Sequence, residues 1–245
     1  MRILGVIPAR FASTRFPGKP LTDIAGKSMI QRVYEQCLKS SALNKIIVAT
    51  DDERIATHVR GFGEAVMTAP EHPSGTDRCR EAMQLCGESF DYVINVQGDE
   101  PFIDPSQIDL LAGLLNGKTE LATLAKQIED EQQIHDPNVV KVVKDVNGNA
   151  LYFSRHAVPY HRGSAGKPGI GLHPYFKHIG IYAYRADVLE RITQLPVSPL
   201  EYAESLEQLR WLENGYRIKL AVTELETRGI DTPEDLERVL QTLKK

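Results

Sequence analysis

The chain has 245 residues, 42% of them hydrophobic and 25% charged, with a formal net charge of −4. That is enough for one α/β domain or two small ones of ordinary soluble-globular composition. The acidic balance excludes non-specific nucleic-acid binding, which needs a broad basic surface, but allows a local cationic pocket. No apolar run reaches transmembrane length, and Ile3–Ile7 is too short for a signal-peptide core. A cytoplasmic setting is expected, with neither membrane nor nucleic acid as partner. Cys37, Cys79 and Cys86 show no metal-ligand spacing and read as reduced packing thiols.

The first element is the apolar strand Ile3–Ile7, which Pro8 is expected to end. The loop that follows, to Pro20, holds three cations: Arg10, Arg15 and Lys19. Pro17 and Pro20 stiffen it, and Gly18 lets it turn. Three positive charges at a strand's end suit a polyanion such as a nucleoside triphosphate; the alternative is an exposed basic loop. Neither G-x-x-x-x-G-K-[ST] nor G-x-G-x-x-G is present, so cationic side chains must bind phosphate more than backbone amides do.

Next, Ser28 caps a helix with Ile30, Val33, Tyr34, Cys37 and Leu38 at helical spacing. Ile46–Ala49 reads as a strand, and Asp52 starts a helix through Ile55, Ala56 and Val59. Asp77 starts a third through Ala82, Met83 and Leu85. Tyr92–Val96 is another strand, and Pro105 opens a helix with Ile108, Leu111, Leu114 and Leu115 on one face. This alternation predicts an α/β fold with a mostly parallel sheet and right-handed crossovers. Ligands in such sheets bind beyond the carboxyl ends of the strands, where Arg10, Asp51 and Asp99 fall.

The second half differs. Val139–Lys144 and Asn149–Phe153 flank Asp145-Val146-Asn147-Gly148, a hairpin signal. Residues 161–174 are rich in Gly and Pro and read as a long functional loop. Phe176–Tyr184 is a strand, Pro199–Asn214 one helix, Tyr216–Val222 a last strand, and Pro233 starts a terminal helix. The expected organisation is a single domain over 1–245 with a β-rich insertion at about 150–185.

Asp99, in Gln97-Gly98-Asp99-Glu100-Pro101, stands just past a buried strand. Magnesium takes one or two carboxylates plus substrate phosphates, which fits Asp99; an acidic turn before Pro101 is the alternative. Glu100 reads as a solvated neighbour. Asp231 by itself reads as a helix N-cap, leaving metal duty open only if Thr232 or water satisfies the helix end. Ser74-Gly75-Thr76-Asp77-Arg78 has small residues that admit a flat base against the backbone, with Arg78 as donor; it equally reads as a capped helix start.

The run Pro8-Ala9-Arg10-Phe11-Ala12-Ser13-Thr14-Arg15-Phe16-Pro17-Gly18-Lys19-Pro20 resembles the sugar nucleotidyltransferases, in the form of the 3-deoxy-manno-octulosonate cytidylyltransferases. The resemblance continues through Ala49-Thr50-Asp51-Asp52, Ser74–Arg78, Asn95–Pro101 and Tyr152-Phe153-Ser154-Arg155. It ends with Lys177-His178-Ile179-Gly180 and Glu204–Arg210, so it covers nearly the whole chain in the family's order.

The resemblance implies a Rossmann-like nucleotide-diphospho-sugar transferase fold: a mostly parallel mixed sheet, helices on both faces, and a small β-rich insertion that helps pair two subunits into a homodimer. It implies transfer of CMP from CTP to the anomeric hydroxyl of a 2-keto sugar acid, 3-deoxy-manno-octulosonate, with pyrophosphate released, for lipopolysaccharide biosynthesis. Mg²⁺ would sit on Asp99 and Asp231. Arg10, Arg15 and Lys19 would neutralise phosphate charge and act with the two aspartates in catalysis. CTP contacts would come from Pro8, Ala9, Arg10, Ser13, Arg15, Lys19, Ser74, Gly75, Thr76, Arg78 and Gln97. The sugar acid's carboxylate calls for a bidentate Arg, for which Arg155 stands; Gln97, His178, Tyr182 and Glu207 would meet hydroxyls, with Arg162 and Lys167 as further loop candidates. Rival readings are a cytidylyltransferase for the 8-amino analogue or a sialate, or a non-catalytic nucleotide sensor. The related sialate enzymes follow Pro-Ala-Arg with a Gly- and Lys-rich segment that is absent here, and Lys19, Asp99 and Asp231 together favour an enzyme.

Overall fold

The computed structural model describes residues 1–12, 16–164, 169–226 and 229–243, so Ser13, Arg15 and Lys167 lie outside the described residues. The chain forms two compact units, Met1–Asp109 with Thr227–Lys245, and Leu110–Glu226. The segment 150–185 expected as an insertion lies within the second.

In chain order come β1 (Ile3–Ala9), the short strands β2 (Asp23–Ile24) and β3 (Lys27–Ser28), α1 (Met29–Cys37), β4 (Lys45–Thr50), α2 (Glu53–Val59), β5 (Ala65–Met67), α3 (Gly75–Leu85), β6 (Tyr92–Asn95) and α4 (Pro105–Ala112). The first unit's sheet is parallel, ordered β6–β1–β4–β5. β1, β4 and β6 are buried along nearly their whole length, as their continuous apolar runs require.

Pro8 does not end β1. The strand continues through it to Ala9, paired with β4 at Pro8↔Ala49 and Ala9↔Thr50. Val6 directs its carbonyl towards β6, accepting from Val96. Strand alternation turns Pro8 the same way, beyond the last β1–β6 pair, Val6↔Asn95. The missing N–H therefore costs no ladder bond.

Ser28 caps α1 as expected, its Oγ accepting from the Gln31 amide at 3.2 Å, and Met29, Ile30, Val33, Tyr34 and Cys37 are buried. Leu38 and Leu85, expected on the apolar faces, are exposed because their helices end there. Asp52 caps α2. The third helix starts earlier than expected: Ser74, not Asp77, is its N-cap, accepting from the amides of Thr76 and Asp77. Residues 75–78 thus form its first turn.

The second unit contains β7 (Leu121–Gln127), α5 (Glu131–His135), β8 (Lys141–Lys144), β9 (Ala150–Ser154), β10 (Phe176–Arg185), α6 (Ala186–Ile192), α7 (Pro199–Glu204), α8 (Gln208–Glu213) and β11 (Ile218–Val222). β11 pairs parallel with β7, β7 antiparallel with β10, and β8 antiparallel with both β10 and β9. The hairpin expected at Asp145–Gly148 forms, with Gly148 at φ 74° and its amide donating to the Asp145 carbonyl at 3.1 Å.

The single helix expected over Pro199–Asn214 is two helices, broken at Ser205, which takes the left-handed conformation (φ 51°, ψ 50°). Buried Glu201 grips Arg210 by two hydrogen bonds, 2.7 Å from Nε and 2.6 Å from Nη2. In an unbroken helix those positions lie about two and a half turns apart on opposite faces. The break brings them together.

The chain returns to the first unit with α9 (Pro233–Leu243). Leu236, Val239 and Leu240 of this helix pack on a cluster of Ile24, Met29 and Ile230. Among the described residues no helix is long and apolar enough to cross a membrane.

Candidate active site

The first unit assembles its polar residues at the carboxyl ends of β1, β4 and β6. The carbonyl of Phe11 accepts from the Gly18 amide at 3.0 Å, which folds the loop back on itself. Gly18 has φ 73°, and a Cβ there would stand 3.3 Å from the Phe11 ring, so the turn requires glycine. The Arg54 guanidinium lies 3.3 Å over the Phe11 ring centroid and is itself forked onto Asp52. Arg10, exposed, donates to the His72 carbonyl. Lys19 follows at the start of a single 3₁₀ turn, Lys19–Leu21.

Three sequence candidates meet here. Lys19 Nζ lies 2.8 Å from Asp99 Oδ2 and 3.2 Å from Asp231 Oδ1. The lysine side chain is 14% exposed and the aspartates 31% and 47%, so the cluster opens to solvent on its acidic side. Gly98 sets the approach, because a Cβ there would fall 2.7 Å from the Pro8 carbonyl oxygen. The Ile230 amide donates to the Asp99 carbonyl at 2.9 Å, which brings Asp231 alongside.

Asp231 is not the cap of α9. Thr232 and Asp235 close that helix end on each other: Asp235 Oδ2 accepts from the amides of Asp231 and Thr232, and Thr232 Oγ1 accepts from the Asp235 amide. The Asp231 carboxylate is thereby left for Lys19.

Glu100 corrects its expectation. Its Oε2 is shut from solvent without a hydrogen-bond partner, and burial beside the Asp99 carboxylate pushes its carboxyl up to about 7. It is a half-buried acid with one oxygen closed off, and not a solvated neighbour.

Ser74, Gly75 and Thr76 begin α3 against the end of β1, with a Cβ position on Gly75 at 3.5 Å from the Pro8 ring. Arg78 is fully buried; Nη1 donates to Thr68 Oγ1 and Nη2 lies 3.4 Å from Asp51 Oδ2. Its Nε has no partner, and desolvation lowers its pKa against the opposing pull of Asp51. Gln97, half-buried, precedes Asp99, with its carbonyl accepting from the Glu100 amide.

The second unit gathers three of the sugar candidates. His178 and Tyr182, on β10, have ring centroids 5.1 Å apart. Tyr182 also meets Trp211 edge-on at 5.2 Å, and Glu207 is near enough to help raise its pKa. The Tyr182 hydroxyl is buried without a hydrogen-bond partner. Desolvation pushes the His178 imidazole down to about 3, so it is neutral at physiological pH. Its Nε2 lies 3.0 Å from Thr123 Oγ1, whose hydroxyl faces the carbonyls of Ile181 and Ile179 at 2.7 and 3.1 Å. The hydroxyl's one hydrogen goes to a carbonyl, so His178 Nε2 donates and Nδ1 remains an acceptor.

Arg155 is held by main-chain carbonyls. Its guanidinium donates to the carbonyls of Glu204 (2.7 Å), Pro137 (3.0 Å) and Ser205 (3.3 Å), fastening the break between α7 and α8. Arg162 is exposed in a short turn of the long loop.

Sequence reasoning missed Thr123, Arg54 and Trp211. Thr123 sits in β7, whose Leu-Ala-Thr-Leu-Ala-Lys-Gln gives no β-branched run. Arg54 reads as an ordinary charged residue of a helix start, and Trp211 as core.

Two hard carboxylates already drawn to one cation suit a divalent ion that takes the rest of its shell from phosphates and water. Here the cation they share is Lys19 Nζ. Beside them, Arg10 and Lys19 supply positive charge at a parallel sheet's carboxyl edge, where an anionic ligand is expected.

Comparison with known proteins places the chain in a family. The cytidylyltransferase family profile matches residues 4–219. A 3-deoxy-manno-octulosonate cytidylyltransferase from Cytophaga hutchinsonii is 59% identical over 98% of this chain and 97% of its own length. One from Parabacteroides distasonis is 55% identical, over 99% and 98%. Among solved structures, a CMP:2-keto-3-deoxy-manno-octonic acid synthetase complexed with CTP superposes with a TM-score of 0.92 at 43% identity, covering 100% of this chain and 99% of that one. A 4-diphosphocytidyl-2C-methyl-D-erythritol synthase from Anaerococcus prevotii shares the fold at TM-score 0.66 and 13% identity, over 100% and 99%.

Proposed function

This chain belongs to the cytidylyltransferase family, and from that membership we propose that it transfers CMP from CTP to the anomeric hydroxyl of 3-deoxy-manno-octulosonate, releasing pyrophosphate, as a step towards lipopolysaccharide. The observation that carries the proposal is the joining of Asp99 and Asp231 on Lys19. No covalent nucleophile is required, because catalysis of such a transfer rests on positioning and charge stabilisation.

Each residue then has a task. Arg10, Arg15 and Lys19 bind the triphosphate and offset the charge that builds on the bridging oxygen and on departing pyrophosphate. Pro8, Ala9, Ser13, Ser74, Gly75, Thr76 and Gln97 line the nucleotide, and Arg78 offers its Nε towards the base from a buried position. Asp99 and Asp231 would hold Mg²⁺, which when bound polarises the α-phosphate and makes the attacking hydroxyl more acidic. His178, as a neutral imidazole with a free acceptor nitrogen, takes a hydrogen bond from a sugar hydroxyl, while Tyr182 donates one and Glu207 accepts another. Arg155 holds Glu207's helix in place through the Ser205 break and draws the sugar carboxylate with its remaining N–H groups.

The proposal includes a homodimer working in the cytoplasm without membrane or nucleic acid. Val197 and Tyr202, near and on α7, are 64% and 83% exposed, an apolar surface that a second copy would cover. Light scattering of the purified chain tests that state.

The activity is tested by pyrophosphate release with each nucleoside triphosphate against 3-deoxy-manno-octulosonate, its 8-amino analogue and a sialate, with and without Mg²⁺. CTP and the octulosonate together, with Mg²⁺, should give the highest kcat/KM. Nucleotide binding without product from any acid would reject the proposal.

A further inference from the structure

The second unit has a groove of about 330 Å³ where β7 and β11 begin and β10 ends, lined by Lys118, Glu120, Arg185, Arg217, Lys219 and neighbouring residues. Four cations from three separate segments converge on one concavity. Glu120 is the one acidic side chain of that lining among the described residues, and its Oε2 already accepts from the Arg217 amide at 3.3 Å.

The four cations are not equally satisfied. Arg185 is forked onto Asp187 and donates from Nη1 to the Lys118 carbonyl at 3.3 Å, which fixes its guanidinium at the rim. Lys219 Nζ donates to the Asn147 carbonyl, and its charge helps lower the pKa of Asp145, which lies beyond ion-pair distance. Among the described residues, Lys118, Arg217 and Lys219 have no carboxylate within ion-pair distance. Elsewhere most of the described lysines and arginines do, as with Lys45 on Glu64 and Glu88, or Lys177 on Glu226. Like charges gathered in one hollow repel one another unless an anion is supplied, and in a chain of formal net charge −4 such a gathering is against the overall balance.

We propose that this groove is a second anion site that takes a phosphate group carrying two or more negative charges. The Arg217 guanidinium and the two ammonium groups together suit a tetrahedral polyanion better than a single carboxylate, which one fork would satisfy. The site shares no residue with the cationic first loop or with His178, Tyr182 and Glu207. The phosphate belongs either to a free compound or to a lipid headgroup, and the two are separable by experiment.

The site adjoins the sugar candidates along β10. Tyr184, paired with the groove residue Leu121, stacks on Tyr182 with centroids 6.0 Å apart. Filling the groove therefore acts next to the aromatic stack that supports Tyr182.

Isothermal titration with sodium pyrophosphate, and co-sedimentation with phosphatidylglycerol vesicles, test the proposal on the full chain. Lys19→Ala weakens first-loop binding and should keep the groove's isotherm. Lys118→Ala combined with Arg217→Ala should lose it, with Kd raised roughly tenfold or more for each cation removed, the order expected of a charge-assisted hydrogen bond. Both side chains are exposed, so the double variant should keep the wild-type circular dichroism. Loss of pyrophosphate binding identifies a soluble phosphate compound, and loss confined to vesicles identifies a headgroup. Unchanged binding of both probes by the double variant, or binding of neither probe by Lys19→Ala, overturns the proposal.

Discussion

The amide of Ile230 donates to the carbonyl of Asp99 at 2.9 Å. This one main-chain bond brings together two acids that are remote in sequence, and the Lys19 ammonium bridges them. The arrangement makes the roles of the three side chains separable. Asp99→Asn keeps the shape of the cluster and removes one negative charge. Turnover should fall by at least about 10²–10³, the scale for losing one preorganised electrostatic partner, with the thermal midpoint unchanged. Pyrophosphate release and a melting curve on the same sample check it, and full activity would remove Asp99 from the mechanism.

Lys19→Ala should also cut turnover by about 10²–10³. It further leaves Asp99 and Asp231 facing each other without their ammonium, so the Mg²⁺ concentration for half-maximal rate should fall even as the maximal rate drops. A magnesium titration of variant and wild type reads both effects. An unchanged maximal rate would make Lys19 a structural residue only.

Gly98→Ala places a methyl carbon 2.7 Å from the Pro8 carbonyl oxygen, a contact with backbone that cannot swing away. The β6 exit must shift, at about 1–3 kcal/mol on the scale of overpacking. Urea unfolding should show a lower midpoint with the same slope, and activity should fall because Asp99 is the next residue. A wild-type midpoint would mean that the loop relaxes freely.

The His178 imidazole is neutral in the folded chain, at about 3, and titrates near 6.5 when unfolded. Between those values the unfolded state binds more protons. Stability from this group is therefore complete above pH 6.5 and is lost as pH falls towards 3, by at most about 1.4 kcal/mol per pH unit. His178→Gln should flatten the dependence of unfolding free energy on pH between 4 and 6. Equal slopes in variant and wild type would place the imidazole in contact with water.

Arg54→Ala removes the guanidinium lying over Phe11 without touching any residue assigned to catalysis. The loop carrying Arg10 and Lys19 then loses a support, and KM for CTP should rise about two- to fivefold with kcat retained, the scale of an exposed cation–π contact. A change in kcat alone would argue against this role.

Much of the first unit was legible in the sequence, because β1, β4 and β6 are continuous apolar runs and Ser28 and Asp52 are plain helix caps. The second unit was less so. β7 has no β-branched run and becomes a strand only because β10 and β11 pair with it on either side. The break at Ser205 has no local signal, since it serves the distant pairing of Glu201 with Arg210. At the site, the sequence pointed to Lys19, Asp99 and Asp231 but not to how Asp231 escapes capping duty, which depends on the Thr232–Asp235 exchange. Glu100 was misread because burial of a carboxyl cannot be seen from its neighbours in the chain.

The reciprocal Thr232–Asp235 closure also makes α9 an accessory to the chemistry. Proteolysis that clips the last helix would spare every strand and every loop cation, yet would unseat one of the two acids. Such a product would keep its sheet and be inert, so loss of activity on handling would point to α9 before it pointed to the strands.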